Sequence, residues 1–188
     1  MQGLTPSQIR KVQKAYPILK KIQQLTNVPW QAMAAIWYRE SFSVSPPKTP
    51  GGPWQFDPPP PDQTLYKYLY QFTKTTPEEK EAIIKKGIND FYAGGVLAAC
   101  HLQKKVDGNL TLTSPDDLVK QAIYRYNGAA YGSADKSPYV MNNYDREHMD
   151  MRLRGTIPDG HGGRKWIDIV DQRPGAFTIY KQLKRIFP

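Results

Sequence analysis

The stretch Pro29 to Phe42, PWQAMAAIWYRESF, is apolar for almost its whole length and then ends in a single carboxylate, Glu40. Helical spacing sets Met33, Ile36, Trp37 and Glu40 on one side, so the face that should enter the core finishes in an acid. Desolvation raises a carboxyl pKa, and the partial negative charge of a helix C-terminus acts in the same direction. The environment therefore favours a protonated acid near neutral pH, able to give a proton to a leaving oxygen. The structural alternative is a Glu40 that faces solvent at a frayed helix end, or that pairs with Arg39 or a nearby lysine.

Upstream, Thr5-Pro6 offers a cap followed by proline at the first helical position. Ile9, Val12, Tyr16, Leu19, Ile22 and Leu25 then recur at three- and four-residue steps, predicting a helix kinked or restarted at Pro17. Downstream, proline and glycine dominate from Ser43 to Pro61 and predict a long irregular loop or small hairpin. Asp62 is positioned to cap a helix carrying Leu65, Tyr66, Leu69, Tyr70 and Phe72, and TPEE (Thr76 to Glu79) is a capping box for another. Gly87 to Val106 reads as a long buried helix. Gly94 and Gly95 inside it cost roughly 1 kcal/mol each relative to Ala, which points to a close helix crossing.

Ser114-Pro115-Asp116-Asp117 should cap a helix running through Tyr126, and Ser137-Pro138 should start a shorter one holding Tyr139, Val140 and Tyr144. Residues 150–173 are rich in Gly, Asp and Arg and predict a loop or hairpin flap. The chain closes from Pro174 to Phe187 as an amphipathic helix with Phe177, Tyr180, Leu183 and Phe187 inward. No repeat or linker divides residues 1–188, so the expectation is one mainly α domain whose motif-bearing core spans about 29–140.

The chain has 26 Lys+Arg against 17 Asp+Glu, a net charge of +9, which implies attraction to a polyanion without naming it. The basic pairs, Lys20-Lys21, Lys85-Lys86, Lys104-Lys105 and Lys184-Arg185, are dispersed over helix surfaces and not gathered in a tail. Four Trp, twelve Tyr and six Phe supply flat amphipathic surfaces on which sugars or bases can stack. Cys100, the single cysteine, excludes an internal disulfide and lies in the small-residue run AGGVLAAC, where it reads as a packing thiol. His101, His148 and His161 have no ligand spacing, so no metal and no cofactor is expected. The basic amphipathic N-terminus lacks the apolar core and cleavage site of a signal peptide, and no stretch reaches the length of a membrane span.

Three motifs follow one another: AIWYRESF around Glu40, GGPWQFDP from Gly51, and AIYRYNGAAYG from Ala122, trailed by SPYV at Ser137. In this order they resemble the lysozyme-like superfamily, specifically the soluble lytic transglycosylases and goose-type lysozymes. Those families place a catalytic Glu followed by Ser at a helix end, then a Gly-x-x-Gln segment, then a helix with Tyr-Asn-Gly. The resemblance implies a lysozyme-like helical domain with a small loop or β element after the catalytic helix. It makes Glu40 the general acid, Ser41 and Gln55 substrate-binding residues of the cleft, and Tyr126 with Asn127 the wall that positions sugar and carboxyl. Trp54, Tyr131 and Tyr139 are candidates to stack on sugars. Each has a plain alternative: Gln55 as a loop brace, Tyr126 and the other aromatics as packing, Asn127-Gly128 as a helix C-cap. The match covers Trp30 to about Val140. A short interval from Glu40 to the glutamine loop, Trp54 before Gln55, and an end without counterpart from Met149 leave the subfamily open.

Glycosidic cleavage commonly uses two carboxylates. Asp57 in QFDP is the second candidate, although Asp before proline also orders turns through its own side chain. With Asp57 structural, the resemblance implies the one-acid route of a lytic transglycosylase. Glu40 would protonate the oxygen between N-acetylmuramic acid and N-acetylglucosamine, then accept the C6 hydroxyl proton as a 1,6-anhydro ring closes. A hydrolytic muramidase (lysozyme or endolysin) using Glu40 with Asp57 or a water is the alternative. A non-catalytic basic helical module binding glycan or nucleic acid is the rival from another class, and the dispersed charge and lack of a nucleic-acid motif weigh against it. The expected partners are peptidoglycan strands and the anionic bacterial envelope, with the chain acting as a monomer. It would be made without a signal peptide and reach the wall or periplasm after release or delivery, as phage-type lysis enzymes do.

Overall fold

The computed structural model describes residues 3–42, 52–55, 62–129, 132–141, 152–158, 163–170 and 173–188. Among these the chain is mainly helical: α1 (Pro6–Thr26), α2 (Trp30–Glu40), α3 (Asp62–Phe72), α4 (Pro77–Lys86), α5 (Phe91–Lys104), α6 (Asp116–Tyr126) and α7 (Ala176–Ile186). A two-stranded antiparallel hairpin, β1 (Arg152–Pro158) and β2 (Arg164–Val170), precedes α7, with Arg152 opposite Val170 and Pro158 opposite Arg164. The predicted late flap is thus a hairpin. The β element expected straight after the Glu40 helix falls mostly outside the described residues, and the described part, 52–55, is a turn.

Local capping explains several starts. Thr5 accepts from the Gln8 amide while the Gln8 side chain takes the Thr5 N–H, a reciprocal box that satisfies two exposed donors. Thr76 Oγ1 likewise accepts from the Glu79 amide, and Glu79 turns its own carboxylate to Thr75 and Tyr92. α1 runs unbroken through Pro17. Pro17 and Gln13, whose carbonyl lacks the N–H that a proline cannot give, are both exposed, so water can take the missing bond. Tyr16, expected inward, is 39% exposed. Ala15 holds the buried position, and the Tyr16 ring meets Trp30 edge-on at 5.0 Å.

Other expectations are corrected. α5 starts at Phe91 and not at Gly87, because Asp90 caps it by accepting from the Ala93 amide. Ser114 does not cap α6: its Oγ accepts from the Thr111 amide, and Pro115 stands at the cap position without a side-chain bond. Ser137-Pro138 opens a turn over 138–140 in place of a helix, and Tyr144 lies outside the described residues.

α5 is the axis of the core. Ala93 to Cys100, with Phe91, Leu102 and Gln103, are buried, and the helix touches α1, α3, α4 and α6. The paired glycines allow this contact. A Cβ on Gly95 would stand 2.4 Å from Ile22 Cδ1 of α1 and 2.8 Å from Trp54 Cζ2, and one on Gly94 would stand 2.5 Å from the Ile88 carbonyl oxygen. Cys100 is a buried thiol, pushed up to about 12 by desolvation. α7 buries Phe177, Ile179, Tyr180 and Leu183 and packs against α2 and α6, so the last helix backs the one that ends in Glu40. No described helix is long and apolar enough to cross a membrane.

Candidate active site

α2 is buried along nearly its whole surface, with Met33, Ile36 and Trp37 fully enclosed, and it stops at Glu40. Ser41 and Phe42 both donate their amides to the Trp37 carbonyl, and Phe42 turns into the left-handed region at φ 49°, which closes the helix. Glu40 is left half-buried at this end. Burial lifts its pKa from 4.5 to about 7, against the opposing pull of a hydrogen bond from Tyr139 and of the Arg39 and Arg173 charges. Among the described residues the charged groups acting on it are therefore these two cations.

Tyr139 Oη donates to Glu40 Oε1 at 2.5 Å. Burial and the adjacent carboxylate hold the phenol pKa well above its ordinary value, so it remains a donor. Its position comes from the 137–141 turn, in which Val140 and Met141 both donate to the Ser137 carbonyl. That turn is tied to the start of α7, where Ala176 donates to the Tyr139 carbonyl and Phe177 to that of Val140. Arg39, 4% exposed, places its guanidinium over the Tyr139 ring at 5.3 Å and reaches the carbonyls of Arg173 and Pro174. Arg173 returns a bond to the Arg39 carbonyl at 3.1 Å, covering one of the acceptors exposed at the end of α2.

The turn 52–55 is fastened beside this helix end from two sides. Ser41 Oγ donates to the Pro53 carbonyl at 2.6 Å, and Tyr126 Oη donates to the Trp54 carbonyl at 3.2 Å. Tyr126 is close enough to Glu40 for the carboxylate charge to add to the burial that raises its phenol pKa. Gly52 takes φ +66° with the Ile88 carbonyl oxygen 2.1 Å from where a Cβ would stand, so no other residue fits.

Glu40, Ser41, Gln55, Tyr126 and Tyr139 are thus gathered in one region, with several roles differing from expectation. Trp54 does not offer a face to a sugar: it is wholly buried, stacked on Phe91 at 5.3 Å, with its Nε1 donating to the Phe91 carbonyl. It seats the turn in the notch left by Gly94 and Gly95. Tyr139, 6% exposed, has no open face either, and orients the acid. Gln55 adopts φ 48° and turns its Nε2 back to the Gly52 carbonyl at 2.9 Å, the bracing alternative. Asn127 is exposed at the C-cap of α6 and its amide donates to the Ile123 carbonyl. No described contact joins it to Glu40. Asp57 and Tyr131 lie outside the described residues.

Arg173 escaped the sequence reading because it stands 133 positions from Glu40, in a segment legible only as a flap. Tyr139 carried a faint signal in trailing the third motif. No protein-family model, curated protein or solved structure matches the chain.

The arrangement has the properties of a proton donor and acceptor. A carboxyl with a pKa near neutrality populates both forms at working pH, which general acid and base catalysis requires. Once the proton leaves, Tyr139, Arg39 and Arg173 stabilise the anion without supplying a second base.

Proposed function

We propose that this chain is a lysozyme-like, peptidoglycan-cleaving glycosidase in which Glu40 acts as general acid and then base. The reading rests chiefly on one observation. The three motifs and the SPYV segment that trails them meet through hydrogen bonds from Ser41 to Pro53, Tyr126 to Trp54 and Tyr139 to Glu40 around a carboxyl raised to about 7. Glu40 in its protonated form gives a proton to the oxygen linking N-acetylmuramic acid to N-acetylglucosamine, and the C4–O bond of the aglycone is left intact as the anomeric carbon–oxygen bond breaks. The resulting carboxylate then accepts the muramoyl C6 hydroxyl proton while that oxygen closes a 1,6-anhydro ring. One carboxyl cycling between two states is sufficient for this lytic transglycosylase route.

Mass spectrometry of digested peptidoglycan tests it. Products ending in anhydromuramic acid, lighter by one water than hydrolysis products, are expected. Reducing ends would instead assign a muramidase, and unaltered product formation by Glu40→Gln would remove Glu40 from the chemistry.

A further inference from the structure

A groove of about 870 Å³ runs along α3 to the end of α5, and none of its lining residues belongs to the group gathered around Glu40. Gln63, Lys67, Tyr70 and Gln71 recur along α3 at helical spacing and line it, joined by Tyr68 on its inner side and Lys104 from α5. Tyr70 is 52% exposed, with Lys80 over its ring at 4.9 Å. No described carboxylate lines the groove. Its chemistry is an exposed aromatic ring, two amides that can both donate and accept, and ammonium groups, a set suited to a polyhydroxyl chain that carries negative charge.

A relay of ring contacts links the groove to the candidate active site. The Tyr68 ring lies 6.3 Å from His101, and His101 meets the Tyr126 ring edge-on at 5.6 Å. Tyr126 in turn holds the Trp54 carbonyl beside Glu40. Burial, with a smaller contribution from Lys105, pushes His101 down to about 4, so the spacer between groove and site is neutral.

We propose that this α3 groove is a second binding region for the same glycan strand, taking sugars beyond the cleaved bond and using Lys67 and Lys104 to engage the carboxylates of lactyl or peptide substituents. The inference rests on the glycosidase reading for the identity of its ligand. A single-stranded nucleic acid would use the same residue types, but two lining lysines neutralise few phosphates.

Binding is measured on the full chain carrying Glu40→Gln, against uncross-linked peptidoglycan strands, uncharged chitin oligosaccharides and a single-stranded oligonucleotide. Tyr70→Ala is expected to weaken both by roughly 5–10-fold, the effect of truncating an interfacial aromatic anchor. Lys67→Glu with Lys104→Glu should weaken the charged strands several-fold, spare chitin, and lose its effect at high salt. Unchanged strand affinity in both variants overturns the proposal, as does loss of oligonucleotide affinity alone. Cleavage of a short substrate by the Glu40 chain separates the two readings. Cleavage with unaltered strand binding in the groove variants removes the groove and keeps the enzyme; no cleavage with lost strand binding does the reverse.

Discussion

Under the glycosidase reading, one proton on Glu40 links activity to stability. Its folded-state pKa of about 7 lies above the 4.5 of an unperturbed carboxyl, so the native chain holds a proton that the unfolded chain has released between those values. The stability it contributes is complete below about pH 4.5 and is lost as pH rises through about 7, to a limit of about 3 kcal/mol. Glu40→Gln stays neutral throughout. Thermal melts should therefore show the variant and the parent alike near about pH 4 and the variant more stable near about pH 8, while its peptidoglycan cleavage falls by at least about 100-fold. Equal melting temperatures at the higher pH would contradict the burial of this acid. Tyr139→Phe removes a hydrogen bond that favours the ionised form. The carboxyl pKa must then rise, and the alkaline limb of the pH–rate profile should move to higher pH. A limb that stays in place would show that Tyr139 does not tune the acid. The raised pKa was legible in the sequence, because an apolar helix ending in one acid states its own desolvation. The partner was not, since Tyr139 lies 99 positions away and only packing brings it there.

At the scale of elements, the turn bearing Tyr139 depends on how closely it lies against the start of α7. A Cβ on Gly175 would fall 2.3 Å from the Val140 carbonyl oxygen and 2.4 Å from the Met141 carbonyl carbon, both backbone atoms that cannot swing aside. Gly175→Ala is expected to cost about 1–3 kcal/mol in chemical denaturation. Because the displaced turn carries the phenol that orients Glu40, kcat should fall more than KM rises. A variant with full activity and stability would sever the link between this junction and the site. The same scale separates what local sequence specifies from what it does not. Thr5 and Thr76 cap their helices as written, because a cap needs only residues three or four positions away. Ser114 and Ser137 carry the same signature with a different result: Ser114 serves the Thr111 amide, and the Ser137 turn is held by bonds from α7. Gly94 and Gly95 announced a close crossing, yet their identity could not say that the main occupant of the notch is Trp54.

At the scale of the whole molecule, a net charge of +9 spread over helix surfaces should draw the protein to an anionic wall. Raising ionic strength from about 0.1 to about 1 M shortens the Debye length from about 10 to about 3 Å, so retention on whole peptidoglycan should drop steeply. Catalysis on a short uncharged substrate should change far less, because the cations that act on Glu40 include the buried Arg39. Sedimentation of the Glu40→Gln protein with wall material across this salt range provides the measurement, and salt-independent retention would exclude the electrostatic contribution.

Sequence alone determined the helical character, most helix starts, the buried thiol and the acid at the end of α2, all of which follow from periodicity, caps and the cost of burying charge. Tertiary structure decided the rest of the site: Trp54 turned inward as the anchor of a turn, Tyr139 turned to the carboxyl, and Arg39 and Arg173 set beside it. An aromatic or an arginine is equally at home in a core, a cleft or a surface, and which one it occupies depends on neighbours that only the packed chain supplies.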